Sequence, residues 1–176
     1  MRRLAVTGVV AAAALALLTG FAGVAAQTTP PKPSPAATPT AKQPVVWSAS
    51  AVPLAAAVGA KVSMKIAVSV APGWHIYSLS QKPGGPTPLE LTVAANQPFK
   101  LTGPIVGPKP ELKFDEGFAM QVELITGRAE FALPVTVAKA PAGARTVAVE
   151  ARYQACNDKL CLPAKTDRVD VPVVIK

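Results

Sequence analysis

Residues that commonly build metal sites are scarce in this sequence. Its 176 residues include two cysteines and one histidine. A zinc site needs about four ligands, so carboxylates from elsewhere in the chain would have to complete one. Beyond residue 26, only Met64 and Met120 could serve a soft copper site as thioether ligands. We therefore expect no metal site.

Aromatic residues are also few, and basic residues are not clustered. The chain has five Phe, two Tyr and two Trp, and Arg2 and Arg3 contribute two of its net charge of +8. A nucleic-acid-binding surface needs a basic stripe, commonly with interleaved aromatic side chains. Because the positive charge is scattered, we expect a solvated basic surface and no nucleic-acid partner.

Long apolar runs are absent after Ala26, and the one before it resembles an export signal. Arg2 and Arg3 precede an Ala/Leu/Val-rich segment, and Ala26 ends a run of small residues suited to signal peptidase. Residues 1–26 are thus predicted to be a cleaved signal peptide, which leaves no stable membrane insertion. The alternative is an uncleaved anchor over residues 4–26, which are numerous enough to span a bilayer. The predicted location is periplasmic or secreted, where cysteines can pair.

Composition divides the rest of the chain into a linker and one domain. Residues 27–44 are rich in Pro, Thr and Ala and are predicted to form a disordered linker. Within residues 45–176, apolar residues recur at every second position in several runs separated by Gly/Pro turns, as in KVSMKIAVSV at 61–70. This pattern predicts an all-β fold, an immunoglobulin-like antiparallel β-sandwich.

The two cysteines lie close together in YQACNDKLCLP, residues 153–163. A hairpin between Cys156 and Cys161 would place them opposite each other at a distance that permits a disulfide. Closing so small a ring stabilises a fold by only about 2 kcal/mol in the loop-entropy model. Because alternate residues of a strand point to opposite faces, Tyr153 is on the apolar face and Cys156 on the polar face. We therefore expect Cys156 to face solvent, within reach of a partner thiolate. On this basis a working dithiol and a passive staple remain equally open.

Four stretches in order then resemble a known family. GWHIYSLS at 73–80, FDEGF at 114–118, FALPVTV at 131–137 and YQACNDKLCLP at 153–163 together resemble the N-terminal periplasmic domain of the thiol:disulfide interchange protein DsbD. The resemblance covers about residues 45–176. It implies an immunoglobulin-like domain without a cofactor, which takes electrons from the thioredoxin-like domain of a membrane electron donor. It further implies that a periplasmic disulfide isomerase or a cytochrome-maturation thioredoxin receives them.

The resemblance also implies roles for the cysteines. Cys161 matches the cysteine that forms mixed disulfides with partners, and Cys156 matches the one that resolves them. The membrane and thioredoxin-like domains have no counterpart in this sequence, so the reductase is expected to be a separate protein. The leading hypothesis is an exported thiol:disulfide oxidoreductase module. The alternative is a non-catalytic immunoglobulin-like binding or structural domain with a passive hairpin disulfide.

Five further residues are implied to surround the cysteines. Asp115, Glu116 and Phe118 match a cap loop that shields the pair, and Tyr77 and His75 match residues packed beside it. Simpler explanations are solvated loop acids, a core aromatic and cross-strand packing. His75 departs from the family pattern, because well-known members carry an aromatic residue at that position.

Overall fold

The computed structural model describes residues 37–40 and 42–176. The predicted signal peptide and residues 27–36 and 41 of the predicted linker lie outside the described residues. Twelve strands lie within the described part: β1 (Val45–Val52), β2 (Ala55–Ala56), β3 (Lys61–Val70), β4 (Trp74–Tyr77), β5 (Glu90–Val93), β6 (Phe99–Leu101), β7 (Glu111–Asp115), β8 (Met120–Ile125), β9 (Arg128–Val137), β10 (Gly143–Tyr153), β11 (Ala155–Asn157) and β12 (Lys165–Ile175).

The strands form three sheets of four. The first has the order β1-β3-β9-β6, the second β2-β12-β10-β5, and the third β11-β4-β8-β7. Neighbouring strands are antiparallel except the short β2, which pairs with β12 in parallel. The predicted all-β, mainly antiparallel architecture is confirmed. Within the described residues, no helix is long and apolar enough to cross a bilayer.

The main core lies between the first and second sheets, and alternation along the strands builds it. In β3, residues Val62 to Val70 alternate between buried and half-buried, as a period of two predicts. The same alternation buries Phe131, Leu133 and Val135 of β9. Each fully buried aliphatic side chain contributes about 1.5–3 kcal/mol. A single continuous cluster joins residues of both sheets.

The chain passes from the second sheet into the third at Tyr153. Its hydroxyl donates a hydrogen bond to Asp167 Oδ2 at 2.6 Å, and its ring packs edge-on against Trp47. The next residue, Gln154, accepts a hydrogen bond from the backbone N–H of Thr87 at 3.1 Å. These contacts fix the end of β10, so that β11 starts in register with β4 of the third sheet.

Candidate functional site

A short hairpin, residues 155–162, carries both cysteines. Cys156 and Cys161 are directly opposite each other as an antiparallel pair, with Cα atoms 4.0 Å apart, and their sulfurs form a disulfide. Backbone hydrogen bonds from Asn157 N to Leu160 O and from Leu162 N to Ala155 O flank the pair. The cysteines therefore occupy a non-hydrogen-bonded position, where opposite residues approach most closely.

The side chain of Asn157 shapes the turn between the cysteines. Its Oδ1 accepts hydrogen bonds from the backbone N–H groups of Lys159 and Leu160, at 2.9 and 3.0 Å. This is the local turn-forming bond that asparagine commonly makes. The predicted cysteine hairpin is confirmed, and its turn is held by the chain itself.

The two cysteines differ sharply in exposure, which corrects one prediction. Cys161 is exposed, whereas Cys156 is only 1% exposed, so the expectation that Cys156 faces solvent was wrong. The strand parity itself was right, because Ala155 points into the main core and Cys156 points to the other face. That other face is not open to solvent, since Cys156 packs there among apolar side chains of its own sheet.

A small second core covers Cys156. It contains Tyr77 of β4 and Val122 and Leu124 of β8, with Met120 packed against its edge. Tyr77 is opposite Leu124 in register, so their side chains share one face of the third sheet. Cys156 is opposite His75, which puts both of those side chains on this face as well. The disulfide thus lies on an apolar floor supplied by its own sheet.

The hairpin of β7 and β8 forms one wall of the site. Its turn contains the predicted cap loop, residues 115–118, in which Asp115 Oδ1 accepts hydrogen bonds from the N–H groups of Gly117 and Phe118. On the preceding strand, Lys113 Nζ lies 3.6 Å from Asp158 Oδ1 of the cysteine hairpin. One ion pair therefore connects the hairpin of β7 and β8 to the cysteine hairpin.

A cavity of about 450 Å³ lies between these two hairpins. Its lining includes the seven residues that the sequence singled out: His75, Tyr77, Asp115, Glu116, Phe118, Cys156 and Cys161. Phe118 is 37% exposed and stands at the cavity rather than in a core. The structure thus brings these residues together, while their roles remain predictions.

Sequence reasoning missed other lining residues. Val122 and Leu124 belong to the run Met120 to Leu124, whose period-two alternation predicts one buried face and could have identified them. Lys113 and Asp158 are 45 positions apart, and no local pattern connects them. Strands β7 and β11 are the opposite edges of the third sheet, so this pairing depends on the tertiary fold and not on neighbouring strands.

Burial sets the protonation of the two ring side chains beside the disulfide. Burial lowers the pKa of His75 below its ordinary value, and the nearby positive charge of Lys113 lowers it further against the opposing effect of Asp115. Burial, together with the carboxylate of Asp115, raises the pKa of Tyr77 to about 12. At neutral pH both rings are therefore uncharged. His75 Nε2 and Tyr77 Oη are 3.3 Å apart, within hydrogen-bond distance.

Comparison with known proteins gives one family match. Residues 42–172 match the family described as thiol:disulfide interchange protein DsbD, N-terminal. No curated protein matches the chain in sequence at a significant level.

Three solved structures are remotely similar. The reduced DsbD N-terminal domain of Neisseria meningitidis is 17% identical, with 65% of this chain and 82% of that one covered and a TM-score of 0.46. The N-terminal periplasmic domain of ScsB from Proteus mirabilis is 15% identical, with coverages of 72% and 44% and a TM-score of 0.48. The complex of DsbD and PilB N-terminal domains from Neisseria meningitidis is 20% identical, with coverages of 61% and 73% and a TM-score of 0.41.

Proposed function

The chain belongs to the family of the N-terminal domain of the thiol:disulfide interchange protein DsbD, and from this membership we propose that Cys156 and Cys161 form a working dithiol that relays electrons. The family supports thiol:disulfide exchange in general. The observation that carries the specific proposal is the unequal exposure of the cysteines within one cavity. Cys161 is accessible, and Cys156 is buried directly behind it.

This arrangement assigns different steps to the two sulfurs. During reduction of the domain, a partner thiolate attacks Cys161 Sγ, the Cys156–Cys161 bond breaks, and Cys156 leaves as a thiolate that gains a proton. The partner's second thiolate then attacks the intermolecular disulfide, which leaves the partner oxidised and the domain with two thiols. During delivery of electrons the steps run in reverse, and Cys156 attacks Cys161 Sγ to release the reduced acceptor. Two electrons and two protons move in each direction.

The cap loop, residues 115–118, is proposed to shield the disulfide between encounters. Glu116 and Phe118 line the cavity beside the cysteines, and Asp115 holds the turn through two backbone hydrogen bonds. A partner that docks over the disulfide is proposed to displace this segment. The ion pair of Lys113 with Asp158 opposes that displacement.

The proposed partners are thioredoxin-like. The donor is proposed to be the thioredoxin-like domain of a separate membrane electron donor, and the acceptor a periplasmic disulfide isomerase or a cytochrome-maturation thioredoxin. A periplasmic location is proposed together with export through a cleaved signal peptide, residues 1–26. The domain at 45–176 is proposed to carry the whole exchange activity.

The competing function is a binding or structural domain with a passive disulfide. The burial of Cys156 is compatible with this function as well, because buried structural cysteines are chemically inert. A structural disulfide of this kind has a reduction potential below about −300 mV, whereas redox-active pairs have higher potentials. The potential therefore separates the two functions.

The test combines that potential with trapping. The full chain is equilibrated with mixtures of reduced and oxidised thioredoxin in different ratios. The expected reduction potential of the Cys156–Cys161 pair is above about −300 mV. Cys156→Ser should then accumulate a mixed disulfide with thioredoxin through Cys161, while Cys161→Ser should not. A potential below that limit, or no trapping by either variant, would overturn the proposal in favour of the passive disulfide, and equal trapping by both variants would overturn the assignment of the two sulfurs.

A further inference from the structure

The one histidine of the sequence is the cross-strand partner of the buried cysteine. His75 on β4 is directly opposite Cys156 on β11 in the antiparallel register. Directly opposite residues have Cβ atoms about 4.5–5.5 Å apart and point to the same face of the sheet. Both side chains line the same cavity. An imidazole therefore stands beside the sulfur that solvent reaches least.

The surroundings of His75 come from three elements. Tyr77 of its own strand contacts it through the hydrogen bond and an edge-on ring contact with centroids 5.3 Å apart. Strand β7 contributes the charges of Glu111, Lys113 and Asp115, and the cysteine hairpin contributes Asp158. The cavity that His75 lines adds the charges of Glu116 and Lys159, so charges of both signs surround the ring.

We propose that His75 accepts the proton of the Cys156 thiol when Cys156 attacks Cys161 Sγ, and gives a proton to the departing Cys156 thiolate when the disulfide is reduced. The inference rests on the proposed function, since it concerns a step of that exchange. Neither the resemblance nor the family match assigns this role to the residue.

The need for a proton acceptor follows from burial. Only the thiolate is nucleophilic, and an apolar environment raises the pKa of a thiol above its usual value of about 8.5. Cys156 is 1% exposed on a floor of Tyr77, Val122 and Leu124, so water has little access to its proton. A lowered imidazole pKa keeps the ring of His75 uncharged at neutral pH and able to receive that proton.

The proton and electron balance closes without any further group. In the mixed disulfide, Cys161 Sγ is bonded to the partner and Cys156 is a thiol. The proton moves from Cys156 to the unprotonated ring nitrogen of His75, the thiolate attacks Cys161 Sγ, and the bond from Cys161 to the partner breaks. The partner sulfur leaves as a thiolate, which takes up a proton from His75 or from water.

The first experiment measures this step with an aromatic disulfide, 5,5′-dithiobis(2-nitrobenzoate). The reduced full chain should release one thionitrobenzoate when Cys161 reacts and a second when Cys156 resolves the adduct. In His75→Phe the second release is expected to slow by about 100-fold at pH 7, the lower limit of the range for general acid–base catalysis. The difference should shrink as the pH rises, because hydroxide then takes the thiol proton without help from the ring. His75→Gln should behave in the same way.

Trp74→Phe is the matched control. Trp74 adjoins His75 on β4 and packs against the main core on the opposite face. Its replacement should leave the pH profile of the second release unchanged. A purely structural role for His75 predicts a slowing that is equal at all pH values, and that result would overturn the inference. Thermal unfolding of each variant shows whether it is folded.

The second experiment observes the ring itself. Because His75 is the only histidine, its ring protons give a unique nuclear magnetic resonance titration. The titration should differ between the oxidised and the reduced wild type, since a thiol now shares the proton, and Cys161→Ser, which keeps the Cys156 thiol, should titrate like the reduced wild type. An unshifted titration on reduction contradicts the inference. A wild-type chain that never releases the second thionitrobenzoate contradicts the proposed function instead.

Discussion

The ion pair between the two hairpins gives a prediction whose size can be worked out. Lys113 Nζ and Asp158 Oδ1 are 3.6 Å apart, and the side chains are 56% and 86% exposed. Coulomb's law at that distance in bulk water gives about 1.2 kcal/mol. Exposed pairs measured by double-mutant cycles contribute about 0.2–1 kcal/mol after the entropy of both side chains is included. We expect the pair to favour the closed cap by about 0.5 kcal/mol.

That free energy corresponds to about a twofold change in the fraction of molecules whose cap loop is open. The upper bound, at 1 kcal/mol, is about fivefold. The assay is the rate at which dithiothreitol reduces the oxidised chain. Single variants also change the local charge, because Lys113→Met removes a cation and Asp158→Asn an anion beside the disulfide. A double-mutant cycle cancels those separate effects and isolates the coupling.

The same cycle repeated in salt checks the physical origin. The Debye length falls from about 10 Å at 0.1 M to about 3 Å at 1 M ionic strength, so the coupling between Lys113 and Asp158 should largely vanish in concentrated salt. The charge-conserving variant Lys113→Arg should react like the wild type. A coupling above about tenfold, or one that persists unchanged at 1 M salt, would refute the reasoning that a screened surface pair holds the cap.

Three further predictions concern the site and its support. Replacing both Cys156 and Cys161 by alanine should lower the free energy of unfolding by about 2 kcal/mol, because the ring that they close is small. The measurement is urea unfolding against the oxidised wild type, and a loss above about 4 kcal/mol would indicate a disulfide that is essential for stability. Phe118→Ala should speed reduction by dithiothreitol without changing the reduction potential, since Phe118 lines the cavity but is not part of the sulfur chemistry; an unchanged rate would remove Phe118 from the cap. Hydrogen bonds from serine hydroxyls, first of all Ser78, lower the pKa of Glu123, so their stabilising effect is present above the ordinary pKa of the carboxyl group and is lost as pH falls through the lowered folded value. Ser78→Ala should therefore destabilise the chain more at pH 7 than at pH 3 in urea unfolding, and equal losses at both pH values would contradict that linkage.

The unequal exposure of the cysteines shows a limit of predictions from strand alternation: alternation assigns a residue to a face but does not say what packs on that face. Alternation correctly separated Ala155 and Cys156 onto opposite faces. It could not say what covers the second face, because Tyr77 and Val122 come from strands far away in sequence. The polar neighbours of Cys156, such as Gln154, suggested solvent, yet Gln154 is tied to the backbone of Thr87 instead.

The sequence by itself determined the all-β fold and the cysteine hairpin, while the other predicted site residues came from the resemblance to a family. Period-two alternation and turn residues act over a few positions, so they can be read directly from a run such as 61–70. Only the tertiary structure decided that Cys156 is buried, that His75 is its cross-strand partner, and that Lys113 meets Asp158. The physical reason is that these relations depend on which arrangement the strands of the third sheet adopt, with β4 beside β11 and β7 at the opposite edge. That choice is set by packing across the whole domain rather than by local preference.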